Sequence, residues 1–137
     1  MEKIQGMQKA FQGAKLVYIT STSKIGDKHT RPMTNFNTSP YEPMWFPSFK
    51  YTRKMDDIKN NSQVTISFPT KEIDTWFKIN GNASEASWEE VQEKWKWWFL
   101  EWVPEKDKKP LHYDDPFLDR SIIWVKPVKA WISDSDE

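Results

Sequence analysis

"WFPSFKYTRKMDDIKNN", residues 45–61, opens as an aromatic extended segment and closes as a short polar helix, with an arginine and a lysine side by side at the junction. The aromatic half suits a strand, because such side chains fit a pleated, half-buried surface. The polar half places Met55 and Ile58 on one helical face. Two cations at a helix start oppose the macrodipole, which already supplies positive potential there. An anion bound at that point reverses the sign of the argument. Ser48, Thr52, Arg53 and Lys54 offer two hydroxyls, a guanidinium fork and an ammonium, followed by the free amides of a helix start. That set could hold a phosphate monoester, and a solvated basic turn accounts for the same residues without a ligand.

Upstream, Ile4, Met7, Gln8 and Phe11 recur at helical spacing, so residues 2–12 read as a short amphipathic helix that Gly13 can end. "KLVYITSTS", the Gly-Asp turn in "KIGDK" and "HTRPMTNF" make residues 15–35 a β-hairpin. The loop "NTSPYEP" leads into "PMWFPSF" as a third strand. Downstream, "SQVTISF" points Val64, Ile66 and Phe68 inward, and "TWFKINGNAS" follows as a strand. Gly81 interrupts that strand, which marks a bulge or a close backbone approach. "SWEEVQEKWKWWFLEW" begins with the Ser87–Glu90 capping box and puts Val91, Trp95, Trp98 and Trp102 on one face of a long helix. Trp97 and Phe99 lie off that face and point to a second buried surface. "RSIIWVKPVKAWI" is a closing strand, or a pair bent around Pro127, and residues 133–137 are an acidic tail that frays. Helix, three strands, helix, two strands, helix and strand define an α+β fold with a mainly antiparallel sheet of about six strands, closed as a small barrel.

The 137 residues suit one domain. Twenty basic and twenty acidic side chains balance, so any anion site is local, and single-stranded nucleic acid, which needs a basic groove, is disfavoured. There is no cysteine, no secretory apolar stretch and no run of about 20 apolar residues, which together suggest a soluble, cytoplasmic protein. His29 and His112 are the only imidazoles and lack zinc-site spacing, so no metal is expected. Four glycines in all exclude the phosphate and dinucleotide loops that need several in series. The "DD" pairs at 56–57 and 114–115 read as solvated. Nine tryptophans and eight phenylalanines call for a dense core, a partner subunit or a flat ligand.

"FPSFKYTRK", then "NNSQVTISF", then "WFKING", with Arg31 beginning a strand element upstream, resembles the FMN-binding split-barrel superfamily that includes pyridoxamine 5'-phosphate oxidase. The family pattern runs F-Y-T-N-x-x-S-R-K, N-P-x-V-x-L-x-F and Q-V-x-V-x-G at matching spacing. The helix "EEVQEKWKWWFLEW", the "DDP" at 114–116 and "PVKAWI" resemble the general stress protein branch. The likeness spans roughly residues 3–133 and implies a six-stranded split β-barrel of Greek-key type with flanking helices.

By that resemblance Arg31, Arg53 and Lys54 hold the FMN phosphate, with Thr52 beside them, and Ser48 stands at a cofactor-contacting threonine. Met33 and Thr34 line the isoalloxazine edge, and Trp131 corresponds to a closing tryptophan near the ring. The chain departs from the pattern twice. The lysine of R-x-x-x-x-K falls at Phe36 or Asn37, and a cofactor-contacting glutamine falls at Trp76. A homodimer with flavin at the subunit interface is implied, together with flavin-dependent oxidoreduction of a small molecule rather than vitamin B6 oxidation. The alternatives are a flavin-binding or structural dimer without turnover, and a relative using a deazaflavin or haem, for which His29 is the one axial candidate. No side chain presents itself as an acid or base.

Overall fold

A computed structural model describes residues 1–94 and 120–134 of the chain. Gly6 adopts a φ of 84°, a left-handed conformation that glycine reaches without Cβ strain, and so delays the first helix to α1, Met7–Gly13. The helix spacing from residue 2 thus extends beyond the helix itself. Met7 and Phe11 are its buried residues.

The hairpin is formed as the alternation predicts. β1 (Leu16–Thr22) and β2 (Lys28–Thr34) pair antiparallel from Leu16–Thr34 to Thr22–Lys28. β3 (Met44–Phe49) follows, then α2 (Arg53–Asn60), β4 (Gln63–Pro69) and β5 (Trp76–Glu85). Residues 88–94 form a helix, α3, and β6 (Arg120–Ser133) closes the described chain. The sheet has six strands in the order β2-β1-β4-β5-β6-β3, and every neighbouring pair is antiparallel. It curls into a half-barrel whose end strands, β2 and β3, come near one another.

Alternate residues of the strands turn Val17, Ile19, Phe46, Val64, Ile66, Phe68, Phe77 and Ile79 into one core, which α1 and α2 cover with Met7, Phe11, Met55 and Ile58. Phe68 meets Phe11 edge-on at 5.3 Å and Phe77 at 5.5 Å between centroids. β6 is a single strand, not two. Its pairing with β5 shifts register between Asn80 and Gly81, opposite Pro127. Any Cβ at Gly81 would meet the Lys126 carbonyl oxygen at 2.7 Å, so both readings of this glycine, a bulge and a close approach, are realised.

The capping box at α3 is present: the Glu90 carboxylate accepts from the Ser87 amide at 3.1 Å, and the Ser87 hydroxyl accepts from the Glu90 amide. The Ser87 amide hydrogen bond holds the Glu90 carboxyl below its ordinary pKa. Glu90 also accepts from Trp124 Nε1 at 2.8 Å, and Lys94 lies over Trp45 and Trp124. Val91 is buried beside Ile122 in a second small core, with Trp45 and Trp88 packed against it. Three tryptophans are therefore absorbed within the chain. Trp95, Trp97, Trp98, Phe99, Trp102, His112 and the "DDP" segment lie outside the described residues. Ser133 is the last residue of β6 and pairs with Trp76, so the acidic tail starts after it. Among the described residues no helix is long and apolar enough to cross a membrane.

Candidate anion-anchoring site at the split

α2 begins where the chain leaves the edge strand β3. Thr52 is its N-cap: the hydroxyl accepts from the Met55 amide at 3.2 Å and donates to the Phe49 carbonyl at 3.2 Å. The helix crosses toward the opposite edge and docks on β1 and β2 through Asp57. That carboxylate, 4% exposed, accepts from the Ser21 hydroxyl at 2.8 Å and stands 2.9 Å from His29 Nδ1. The "DD" pair thus divides. Asp56 is exposed as expected, and Asp57 is buried as the acceptor that fixes α2, because it faces the sheet while Asp56 faces outward.

Three residues before Asp57, and so on the same helical face, stands Lys54. It is 9% exposed, and its Nζ lies 3.3 Å from Met33 Sδ. Burial, and then the charge of Arg31, lower the Lys54 pKa. Ser21, Ile19 and Val17 pair with His29, Arg31 and Met33, so strand alternation puts these three β2 residues on the core side, facing α2. Among the described residues neither Lys54 nor Arg31 forms an ion pair. Lys54 is thus a buried cation within the field of the exposed Arg31, and neither is ion-paired among the described residues.

The sequence-derived candidates fall into two groups. Arg31, Met33 and Lys54 are brought together. Arg53 is next to Lys54 at the helix start and exposed, while Thr52 uses its hydroxyl in the cap. Ser48 faces the barrel interior, 3% exposed, and its hydroxyl has no hydrogen-bond partner among the described residues. Thr34, Trp76 and Trp131 belong to the other face of the sheet. Trp76 packs edge-on against Tyr18 at 5.9 Å, and Trp131 is paired with Lys78. Reasoning on sequence missed Ser21, named His29 only as a haem candidate and read Asp57 as solvated. The i, i+3 spacing that puts Asp57 on the face of Lys54 is the one local signal for the carboxylate, and nothing local brings in the two strand residues. Among the described residues no three His, Asp or Glu side chains gather to hold a metal.

An α+β half-barrel of six antiparallel strands is the architecture of a split barrel. The chain belongs to the pyridoxamine 5'-phosphate oxidase like family, whose sequence profile matches residues 1–112. No curated protein matches it. Among solved structures it is similar to a putative pyridoxamine 5'-phosphate oxidase from Listeria innocua, at 20% identity and a TM-score of 0.69 over 93% of this chain and 94% of that one. It is similar to general stress protein 26 from Bacillus anthracis, at 18% identity and a TM-score of 0.67 over 96% and 94%. It is also similar to a pyridoxamine 5'-phosphate oxidase-related, FMN binding protein from Nostoc punctiforme, at 12% identity and a TM-score of 0.63 over 91% and 76%.

Proposed function

We propose that this chain binds FMN as a homodimer, anchors the phosphate on Lys54 and Arg31 with Arg53 at the rim, and serves as a cytoplasmic flavin-dependent oxidoreductase for a small molecule. The observation that carries the proposal is the buried Lys54 within the field of Arg31. Holding Lys54 buried beside Arg31 is unfavourable in the absence of an anion, and a phosphate dianion offsets both the burial and the repulsion. The donor set fits it: a fork for two oxygens and an ammonium for the third, on a helix whose dipole favours negative charge. Bound flavin supplies the electron-transfer chemistry. The chain's own residues bind and orient it. Family membership and the likeness to an FMN binding protein support the choice of flavin.

The two faces of the sheet support the dimer. Arg31, Met33 and Lys54 lie on the core side, while Trp76 and Trp131 lie on the other. One flavin that touches both sets is most simply placed between two copies, with the anchor from one and the aromatic face from its partner.

The test is FMN titration of the wild-type chain and of Lys54→Met, followed by flavin absorbance and with deazaflavin and haemin offered in parallel. Each charge-assisted contact is worth about 1.5–3 kcal/mol, so the variant should bind FMN about ten to a hundred times more weakly, while the cofactor-free variant, freed of a buried charge, should melt no lower than wild type. Equal affinity overturns the anchor, and preference for deazaflavin or haemin overturns the choice of FMN. Sedimentation should give a dimer that persists at micromolar concentration.

A further inference from the structure

Several lysines rest on aromatic rings, and one of them is placed unlike the others. Lys3 lies 5.9 Å from the centroid of Tyr41, and Lys50 lies 5.0 Å from that of Trp88, each on a single ring. The Lys94 ammonium lies over two, 5.0 Å from the centroid of Trp45 and 5.6 Å from that of Trp124. These tryptophans are direct partners across β3 and β6, both half-buried. Glu90, one turn earlier on α3, accepts from Trp124 Nε1 at 2.8 Å and is within easy reach of a lysine at this spacing. Among the described residues Lys94 nonetheless forms no ion pair. The ammonium is on the rings instead.

Both rings are held by other contacts. Trp45 is stacked on Phe36 with centroids 5.3 Å apart and planes at 12°, and the Asn37 side chain bonds both its backbone amide and its carbonyl. Trp124 is fixed through its indole N–H to Glu90, whose carboxyl the Ser87 amide holds below its ordinary pKa. Two fixed indole faces attract a cation through their ring quadrupoles, the interaction by which quaternary ammonium ligands are recognised. A carboxylate beside them adds to that attraction. A primary ammonium is the poorer occupant of such a place. It is compact and strongly hydrated, and holding it there orders a long flexible stem. An ammonium without N–H groups gives up less hydration and orders no stem.

We infer that Trp45 and Trp124 form a slot for a small quaternary ammonium ion, with Glu90 as the counter-charge, and that Lys94 plugs it when no such ion is bound. Neither tryptophan belongs to the proposed flavin site, and Trp124 is separated from Trp131 by roughly 20 Å of extended strand along β6. The inference does not rest on the flavin proposal.

Choline is the probe, with 3,3-dimethylbutan-1-ol as its uncharged isostere. Binding to the full chain is followed through the assigned indole N–H signal of Trp124 in NMR titrations at constant ionic strength. Choline should move that signal saturably, and at least about ten-fold more tightly in Lys94→Ala, where the plug is gone, than in wild type. In Lys94→Ala the alcohol should bind about ten-fold more weakly than choline, and Trp45→Leu in that background should remove the preference. Equal choline affinity in wild type and Lys94→Ala overturns the inference, because the ion is then bound elsewhere. Equal binding of choline and the alcohol overturns it too, as does a Trp124 signal that stays still in Lys94→Ala; Lys94 then only fastens α3 to the sheet. Should Lys94→Ala fail to fold, wild type decides: a preference for choline of at least about three-fold upholds the slot, and anything less overturns it.

Discussion

Lys54 and Lys78 are both buried lysines without a carboxylate partner among the described residues, yet they are placed by different means. Lys54 is delivered by a helix start and held by a docking bond one turn away, where Asp57 meets Ser21 and His29. Lys78 is delivered by a strand, in a sheet face lined with hydroxyls, with its neighbours set by register alone. The first arrangement sets two cations against each other and so suits a dianion. The second offers one charge beside an aromatic surface. Burial of a lysine is thus not one signal but two, distinguished by the company that the local backbone gives it.

The comparison is most severely stressed at Gly81, which supports the Lys78 side alone. Gly81→Ala drives a Cβ toward the Lys126 carbonyl and Val125, each at 2.7 Å, where the β6 backbone must move. Overpacking of this kind costs about 1–3 kcal/mol, and the upper end is expected because the obstacle includes backbone. Urea unfolding should give the loss. FMN binding should weaken with it, since β6 carries Trp131, which the proposed dimer sets against the flavin.

Asp57→Ala is the counterpart on the Lys54 side. It leaves the Ser21 hydroxyl and His29 Nδ1 without their acceptor in a nearly closed site, which costs about 1–3 kcal/mol, with about 2 expected. Loss of that docking bond should also loosen α2 and weaken FMN several-fold. Chemical denaturation with a parallel FMN titration checks both.

The two sides also differ in how far they could be read from sequence. "TRK" at 52–54 was legible because its chemistry is contiguous: cap, fork and ammonium lie in one short run, and their conflict with the helix dipole is visible without a fold. The hairpin, the β4 alternation and the Gly81 bulge were legible for the same reason, each being local. Lys78 was not, because alternation gives its face but not its depth, and depth depends on strands up to 58 positions away, such as Thr20 of β1. The split of the site residues between two sheet faces was hidden likewise. Trp76 and Arg31 belong to different strands, and only the register of β1, β2, β4 and β5 puts them on opposite sides. Asp57 was misread as solvated because adjacent carboxylates look alike until the helix is docked.

The smallest effect is the pH dependence that Lys54 imposes. Burial and the Arg31 charge lower the Lys54 pKa from 10.5, so in the cofactor-free fold the proton is held less tightly than in the unfolded chain. Between the lowered value and the ordinary one the unfolded state binds more protons, and stability rises with pH across that window. Below the lowered pKa both states are charged, and the cost of the buried charge is carried in full. A phosphate reverses the sign by favouring the ammonium, so FMN binding should take up a proton and weaken as pH rises through the lowered pKa, earlier than an ordinary lysine would require. Phosphate protonation, with a pKa of about 6, limits the affinity on the acid side. Lys54→Arg keeps its charge to much higher pH and should flatten the alkaline limb while leaving the acid limb in place. FMN titrations at intervals from pH 5 to about 10 read both limbs. An alkaline limb that persists in Lys54→Arg would assign it to another group and remove Lys54 from contact with the phosphate.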